Sequence, residues 1–140
     1  MNREIKFRIW DKYEKQMYPI SSIDYDIFSQ EIRIIAIGHK NGMCTSYNKN
    51  HNSEKCDITA LELMQYTGLH DKNGKEIYEG DIVGDNKIKW IVKWNKHRMG
   101  FSLYPTTEQL YDEMPINVEN KLGFKILGNI YDNPELLGGE

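Results

Sequence analysis

A chain of 140 residues with a net charge of −3 is long enough for one ordinary hydrophobic core and lacks the basic excess of a general polyanion binder. Nine Tyr, four Phe and three Trp within a composition that is 39% hydrophobic exclude an intrinsically disordered segment. No window approaches the ~20 apolar residues that cross a bilayer as a helix, and MNREIKFRIWDK lacks a signal-peptide core, so a cytoplasmic, non-membrane protein with reduced Cys44 and Cys56 is expected.

Read in order, the chain is a succession of short strands. Ile5, Phe7 and Ile9 alternate with Lys6, Arg8 and Trp10, the period of a strand with one buried face, and Asp11-Lys12 opens a turn. Met17 to Ile20 returns as a second strand. Ile23, Tyr25 and Ile27 then alternate with Asp24, Asp26 and Phe28, and the β-branched run Ile32 to His39 follows. Asn41-Gly42 has the residues of a type I′ hairpin turn, in which both central residues take positive φ, with Met43 to Tyr47 as the return strand. Asn48 to Lys55 is a polar loop. Asp57 or Thr59 can cap a brief helical turn over Ala60 to Glu62.

A dense block of turn signals follows in LMQYTGLHDKNGKEIYEGDIV, Leu63 to Val83, with a second Asn-Gly at Asn73-Gly74. After a turn at Gly84-Asp85-Asn86 comes the best amphipathic strand: Ile88, Trp90, Val92 and Trp94 on a face expected to be buried, Lys87, Lys89, Ile91 and Lys93 on the other. Phe101 to Tyr104 is a further strand, stopped by Pro105. Thr106 to Lys121 reads as an acidic excursion with a helical turn around Glu108 to Tyr111. Leu122 to Tyr131 resumes β character, and Asn133-Pro134 starts a terminal 3₁₀ or short α element. Turn signals roughly every ten residues argue for an all-β barrel or sandwich.

The groups able to carry chemistry are few. His39, Cys44, His51 and Cys56 are zinc-ligand types, but neither the Cys pair nor the His pair has the close spacing by which one turn presents two ligands. Asp71-x-Asn73-Gly74-x-Glu76 has too few oxygen ligands for a calcium loop and suits a hairpin. No nucleophile sits on a recognisable elbow, and Glu79-Gly80-Asp81 reads as a turn rather than an acid–base pair. Neither cofactor, metal nor catalytic residue is expected. Lys87 to Arg98 carries five basic residues and no acidic one, so Lys89, Lys93, Lys96, His97 and Arg98 form a candidate nucleic-acid or partner surface. Two features oppose nucleic acid: both Trp belong to the expected core face, and Glu76, Glu79, Asp81 and Asp85 lie within cross-strand reach of the lysines.

Three blocks in order, REIKFRIWD with Met17-Tyr18, MQYTGLHDKNGKEIYEGDIV (Met64 to Val83) and GNIYDNPELL (Gly128 to Leu137), closely resemble the YopX family of bacteriophage and prophage proteins. The resemblance implies a β-rich fold with a small barrel, a phage or prophage locus, a bacterial host cytoplasm and self-association, but no biochemical activity. The expected protein is mainly β: one domain over 1–140, with N-terminal hairpins and a loop over 1–62 and a small, partly open barrel of SH3-like size over 63–137. Its expected role is a non-enzymatic accessory or protein-interaction module, joining copies of itself or another phage or host protein. Nucleic-acid binding by Lys87 to Arg98 is the alternative.

Overall fold

The computed structural model describes residues 4–38, 44–48, 58–85, 87–107, 113–116 and 124–137. They are mainly β: β1 (Phe7–Asp11), β2 (Gln16–Asp26), β3 (Glu31–Gly38), β4 (Cys44–Asn48), β5 (Leu61–His70), β6 (Glu76–Tyr78), β7 (Asp81–Gly84), β8 (Lys89–Asn95), β9 (Gly100–Pro105), β10 (Met114–Pro115) and β11 (Lys125–Asn129). Two 3₁₀ turns, Ile58–Ala60 and Pro134–Leu137, supply the helical content among the described residues. The expected turn over Ala60 to Glu62 ends at Ala60, because Leu61 and Leu63 alternate as strand residues against a core and draw the chain into β5. The helical turn expected around Glu108 to Tyr111 and the Asn41-Gly42 turn lie outside the described residues.

The chain forms two compact units that meet in sequence within β5, at Met64 and Gln65. In the N-terminal unit, Lys6–Met64, the strand order is β4-β3-β2-β1 with the start of β5 beside β1. The pairs β1/β2, β2/β3 and β3/β4 are antiparallel, and β2 is one long strand where two were expected, its register against β3 shifting at Ile20/Ser22 and Asp24/Tyr25. Ile9, Ile35, Ile37 and Tyr47 form its core, with Tyr18, Ile20, Leu61 and Leu63 packed against them. The Tyr47 hydroxyl donates to the buried Asp11 Oδ2 at 2.7 Å, which satisfies both polar groups inside that core. Burial and the neighbouring Asp11 carboxylate push the Tyr47 phenol well above its ordinary value.

The C-terminal unit, Gln65–Glu140 with Met1–Ile5, holds the remainder of β5 paired with β6 and a five-stranded antiparallel sheet, β10-β9-β8-β7-β11. Its core is Ile77, Val83, Trp90, Val92 and Leu103, flanked by Leu69, Ile88, Phe101 and Ile126. This sheet is open, so the part expected to form a small, partly open barrel is a sheet that does not close on itself. The amphipathic reading of β8 holds for Trp90 and Val92, both buried. It fails for Trp94, which is 46% exposed: its rung, paired with Phe101, is the last but one before the hairpin turn.

Candidate functional site

Three acidic residues of the Leu63 to Val83 block, Asp71, Glu79 and Asp81, are used to hold backbone. Asp71, buried, accepts the N–H groups of Asn73 at 2.9 Å and Lys75 at 2.8 Å on Oδ1, and that of Ile126, 55 residues on, at 3.0 Å on Oδ2. It thereby fastens its own turn to β11. Burial pushes the Asp71 carboxyl up, but the donated N–H groups outweigh it and hold it below the usual carboxylate range. Asp81 Oδ2 accepts Tyr78 N–H at 2.8 Å, and Glu79 Oε1 accepts Gln65 N–H at 3.2 Å. The second Asn-Gly is not a type I′ turn. Gly74 N–H bonds Asp71 O at 3.0 Å, Asp71 N–H bonds Lys75 O at 2.7 Å, and Gly74 has φ 83° while Asn73 is not left-handed. That is a three-residue loop of the type I plus glycine-bulge kind, with Asp71 rather than Asn73 as its organising residue.

Three other hairpins share one turn design. Asp11, Asp26 and Asn95 each end a strand, and each side-chain Oδ1 accepts the N–H two residues on: Tyr13 at 2.8 Å, Phe28 at 2.9 Å and His97 at 2.9 Å. Asp11 and Asn95 also take the next N–H, from Glu14 at 3.1 Å and Arg98 at 3.2 Å. The fourth residue after each cap, Lys15, Gln30 and Met99, is left-handed with φ 54°, 59° and 53°. The loop is thus closed by an Asx cap at one end and a non-glycine left-handed residue at the other. Such a turn sends its central side chains outward.

At the β8–β9 turn those side chains belong to the basic stretch. Lys96, His97, Arg98 and Met99 are exposed, and Met99 at 75% is among the most exposed large apolar residues. Trp94 stands edge-on to Phe101, with ring centroids 5.2 Å apart. Lys93, on the opposite face of the strand, holds its ammonium 5.5 Å from the Tyr104 ring centroid. Lys89 is half-buried at the far end of β8, four residues or about 13 Å from Lys93 at the ordinary strand rise of ~3.3 Å. Arg98 Nε is paired with Glu113 Oε1 at 2.8 Å, and this neighbour holds the Glu113 carboxyl below its usual range against partial desolvation. Of the five candidate residues, Lys96, His97 and Arg98 share the turn, Lys93 lies beside it, and Lys89 does not join them. Glu113, outside the acidic set expected to oppose the stripe, is Arg98's partner.

A second surface was not anticipated. At the β2–β3 turn the strand stops at Asp26, so Ile27 and Phe28, expected as strand residues, instead stand in the turn at 71% and 92% exposure, with Tyr25 at 53% beside them. Asp24, Asp26 and Glu31 flank this apolar tip, and no basic residue occurs from Asp24 to Glu31. The signal in the sequence is the adjacency of Ile27 and Phe28 after an Asp, since two neighbouring apolar residues cannot both face one side of a strand.

Among the described residues no three His, Cys, Asp or Glu side chains gather as a metal site, and no helix is long and apolar enough to cross a membrane. His39, His51 and Cys56 lie outside the described residues; Cys44 begins β4. Among curated proteins nothing matches the chain. A crystal structure of protein EF1440 from Enterococcus faecalis matches with a TM-score of 0.63 and 27% identity, covering 97% of this chain and 99% of that one. The family described as YopX protein matches residues 6–138. The GNIYDNPELL block has its own physical account: Asn129 Oδ1 accepts the N–H groups of Tyr131 and Asp132 at 3.0 and 2.8 Å, and Asn133 Oδ1 accepts Asn129 N–H at 3.2 Å, which turns β11 into the terminal 3₁₀ turn. With the three blocks in order and the family match running over nearly its whole length, the chain belongs to the YopX family.

Proposed function

We propose that this protein is a non-enzymatic protein-interaction module, encoded by a phage or prophage and acting in the cytoplasm of the bacterial host, that associates with copies of itself. The observation that carries this reading is the distribution of exposed large apolar side chains: Tyr25, Ile27 and Phe28 at one hairpin turn, Trp94 and Met99 at another, Tyr13 at a third. Apolar side chains displayed on turns braced by internal hydrogen bonds are what a contact surface requires, since the presenting backbone is already ordered before a partner arrives. The absence of catalysis is supported by the use of Asp71, Glu79 and Asp81 as acceptors for backbone N–H groups, which leaves their carboxylates engaged in architecture. Co-expression of a tagged and an untagged full-length chain tests the proposal. Affinity capture of the tagged chain is expected to bring down the untagged chain with or without nuclease, and failure to do so under both conditions would overturn self-association.

A second reading, nucleic-acid binding by the β8–β9 hairpin, is favoured by the exposure of Trp94 next to Lys93, Lys96 and His97. Exposed aromatics flanked by lysines suit base stacking with phosphate contacts. Arg98 is the weakest member of that set because Glu113 already neutralises it. Fluorescence anisotropy with single- and double-stranded DNA and RNA at low salt would show binding that weakens as salt rises; flat traces with every ligand would exclude it.

A further inference from the structure

We infer that Glu113 is an intrachain competitor for a nucleic-acid phosphate at the β8–β9 hairpin: it occupies Arg98 in the free protein, and removing it adds one phosphate contact to that surface. The inference rests on the nucleic-acid reading of this hairpin given above and specifies which of its cations are on offer and what withholds the other.

The cations of the hairpin are not equivalent. Lys96 and His97 are exposed, and among the described residues neither side chain is hydrogen-bonded or ion-paired. Lys93 has its ammonium 5.5 Å from the Tyr104 ring centroid, a contact that leaves the positive charge in place. Arg98 differs, since its Nε donates to Glu113 Oε1 at 2.8 Å. Glu113 immediately precedes β10, and the pairing of Met114 with Leu103 and of Pro115 with Ser102 lays that segment along β9, beside the turn.

The grip on Arg98 is partial on both sides. A guanidinium has five N–H donors in a planar fork, and among the described residues only Nε is used, so both Nη groups remain for a second acceptor. The Arg98 side chain is 50% exposed, within reach of a ligand arriving from solvent. On the acid, Oε2 is buried without a hydrogen-bond partner, and so is the Ser102 hydroxyl of the adjoining strand. A buried acceptor without a donor counts against the closed pair, and a half-exposed ion pair contributes little to offset it. A phosphate matches the guanidinium fork with two oxygens where Glu113 supplies one bond. The pair thus neutralises Arg98 while the surface is empty and yields when a phosphate competes. Trp94 is placed to add a base contact, because its perpendicular packing on Phe101 uses at most one face of the indole.

The test is the salt dependence of binding of fluorescein-labelled oligo(dT) to the full-length chain, followed by fluorescence anisotropy. Glu113→Gln is expected to bind roughly threefold or more tightly than the wild type, and to steepen the plot of log Kd against log salt by about 0.7, the increment for one further phosphate on a single strand. Arg98→Gln keeps the backbone N–H that Asn95 Oδ1 accepts, so the turn stays braced. It should change wild-type binding little, yet abolish the whole gain in the Glu113→Gln background. Lys96→Gln is the reference for a cation already on offer and should weaken binding equally with and without Glu113. The comparison of Arg98→Gln with Lys96→Gln in the wild-type background reads the same claim with Glu113 untouched, so it stands even if Glu113→Gln melts early. Equal losses from those two, a Glu113→Gln chain that binds no better than the wild type, or a gain that persists without Arg98 would overturn the competitor and leave the hairpin reading standing. Flat traces for the wild type and every variant would overturn both.

Discussion

Asp71 joins parts of the chain that are 55 residues apart, and its protonation state should be readable in stability. Its carboxyl is held below the usual range in the fold, so its contribution is complete above the unfolded value of about 3.9 and is lost as pH falls through the lower folded value. Asp71→Asn removes that titration and part of the N–H network. Thermal melts from pH 7 down to pH 3 should show the variant less stable at neutral pH, by about 1–3 kcal/mol, with the gap narrowing on acidification. A constant gap would mean that Asp71 does not hold the turn as a carboxylate. Two glycines make a second test. At Gly74 an added Cβ would meet nothing within 4 Å, but φ is 83°, so Gly74→Val should cost about 1–2 kcal/mol from the backbone alone and lower the melting temperature by several degrees. At Gly84 an added Cβ would lie 2.1 Å from the Ile88 carbonyl oxygen, with φ 141°, so Gly84→Ala should be the more damaging substitution despite its smaller side chain. Equal melts for the two would contradict the difference in their surroundings.

At the scale of elements, the turns decide which side chains face outward, and they were the least legible part of the sequence. Strand positions with a clear pattern could be read directly: β1 and most of β8 fall where period 2 places them, and β3 where the β-branched run from Ile32 lies. The Asp11, Asp26 and Asn95 turns carry no glycine at the left-handed position, which is filled by Lys15, Gln30 and Met99, so the usual Asn-Gly signal is missing. The cap residue is the readable half of the signal, and it is weak alone because Asp and Asn are common in every kind of loop. Illegibility of the Asp26 turn hid Ile27 and Phe28, and the nearness of the Asn95 turn left Trp94 outside the core. The non-glycine left-handed residues store a small strain, so Lys15→Gly is expected to raise stability by up to about 1 kcal/mol, as measured by denaturant midpoint at unchanged slope. A loss of stability would show that Lys15 makes contacts worth more than the backbone strain it carries.

At the scale of the molecule, the β class and the three sequence blocks were readable because alternation and turn residues are local. Closure was not, since whether a sheet curls into a barrel or stays open depends on pairings between distant strands, such as β7 with β11. The same limit applies to the candidate surfaces. The basic stretch was visible as a run of residues, whereas the acidic apolar turn exists only because β2 stops at Asp26. Self-association through exposed hairpin turns is the central claim. Light scattering on the purified full-length chain over a wide concentration range tests it most directly: the mass should rise above the 16.5 kDa monomer as concentration increases, whereas a monomer mass at every concentration would contradict it.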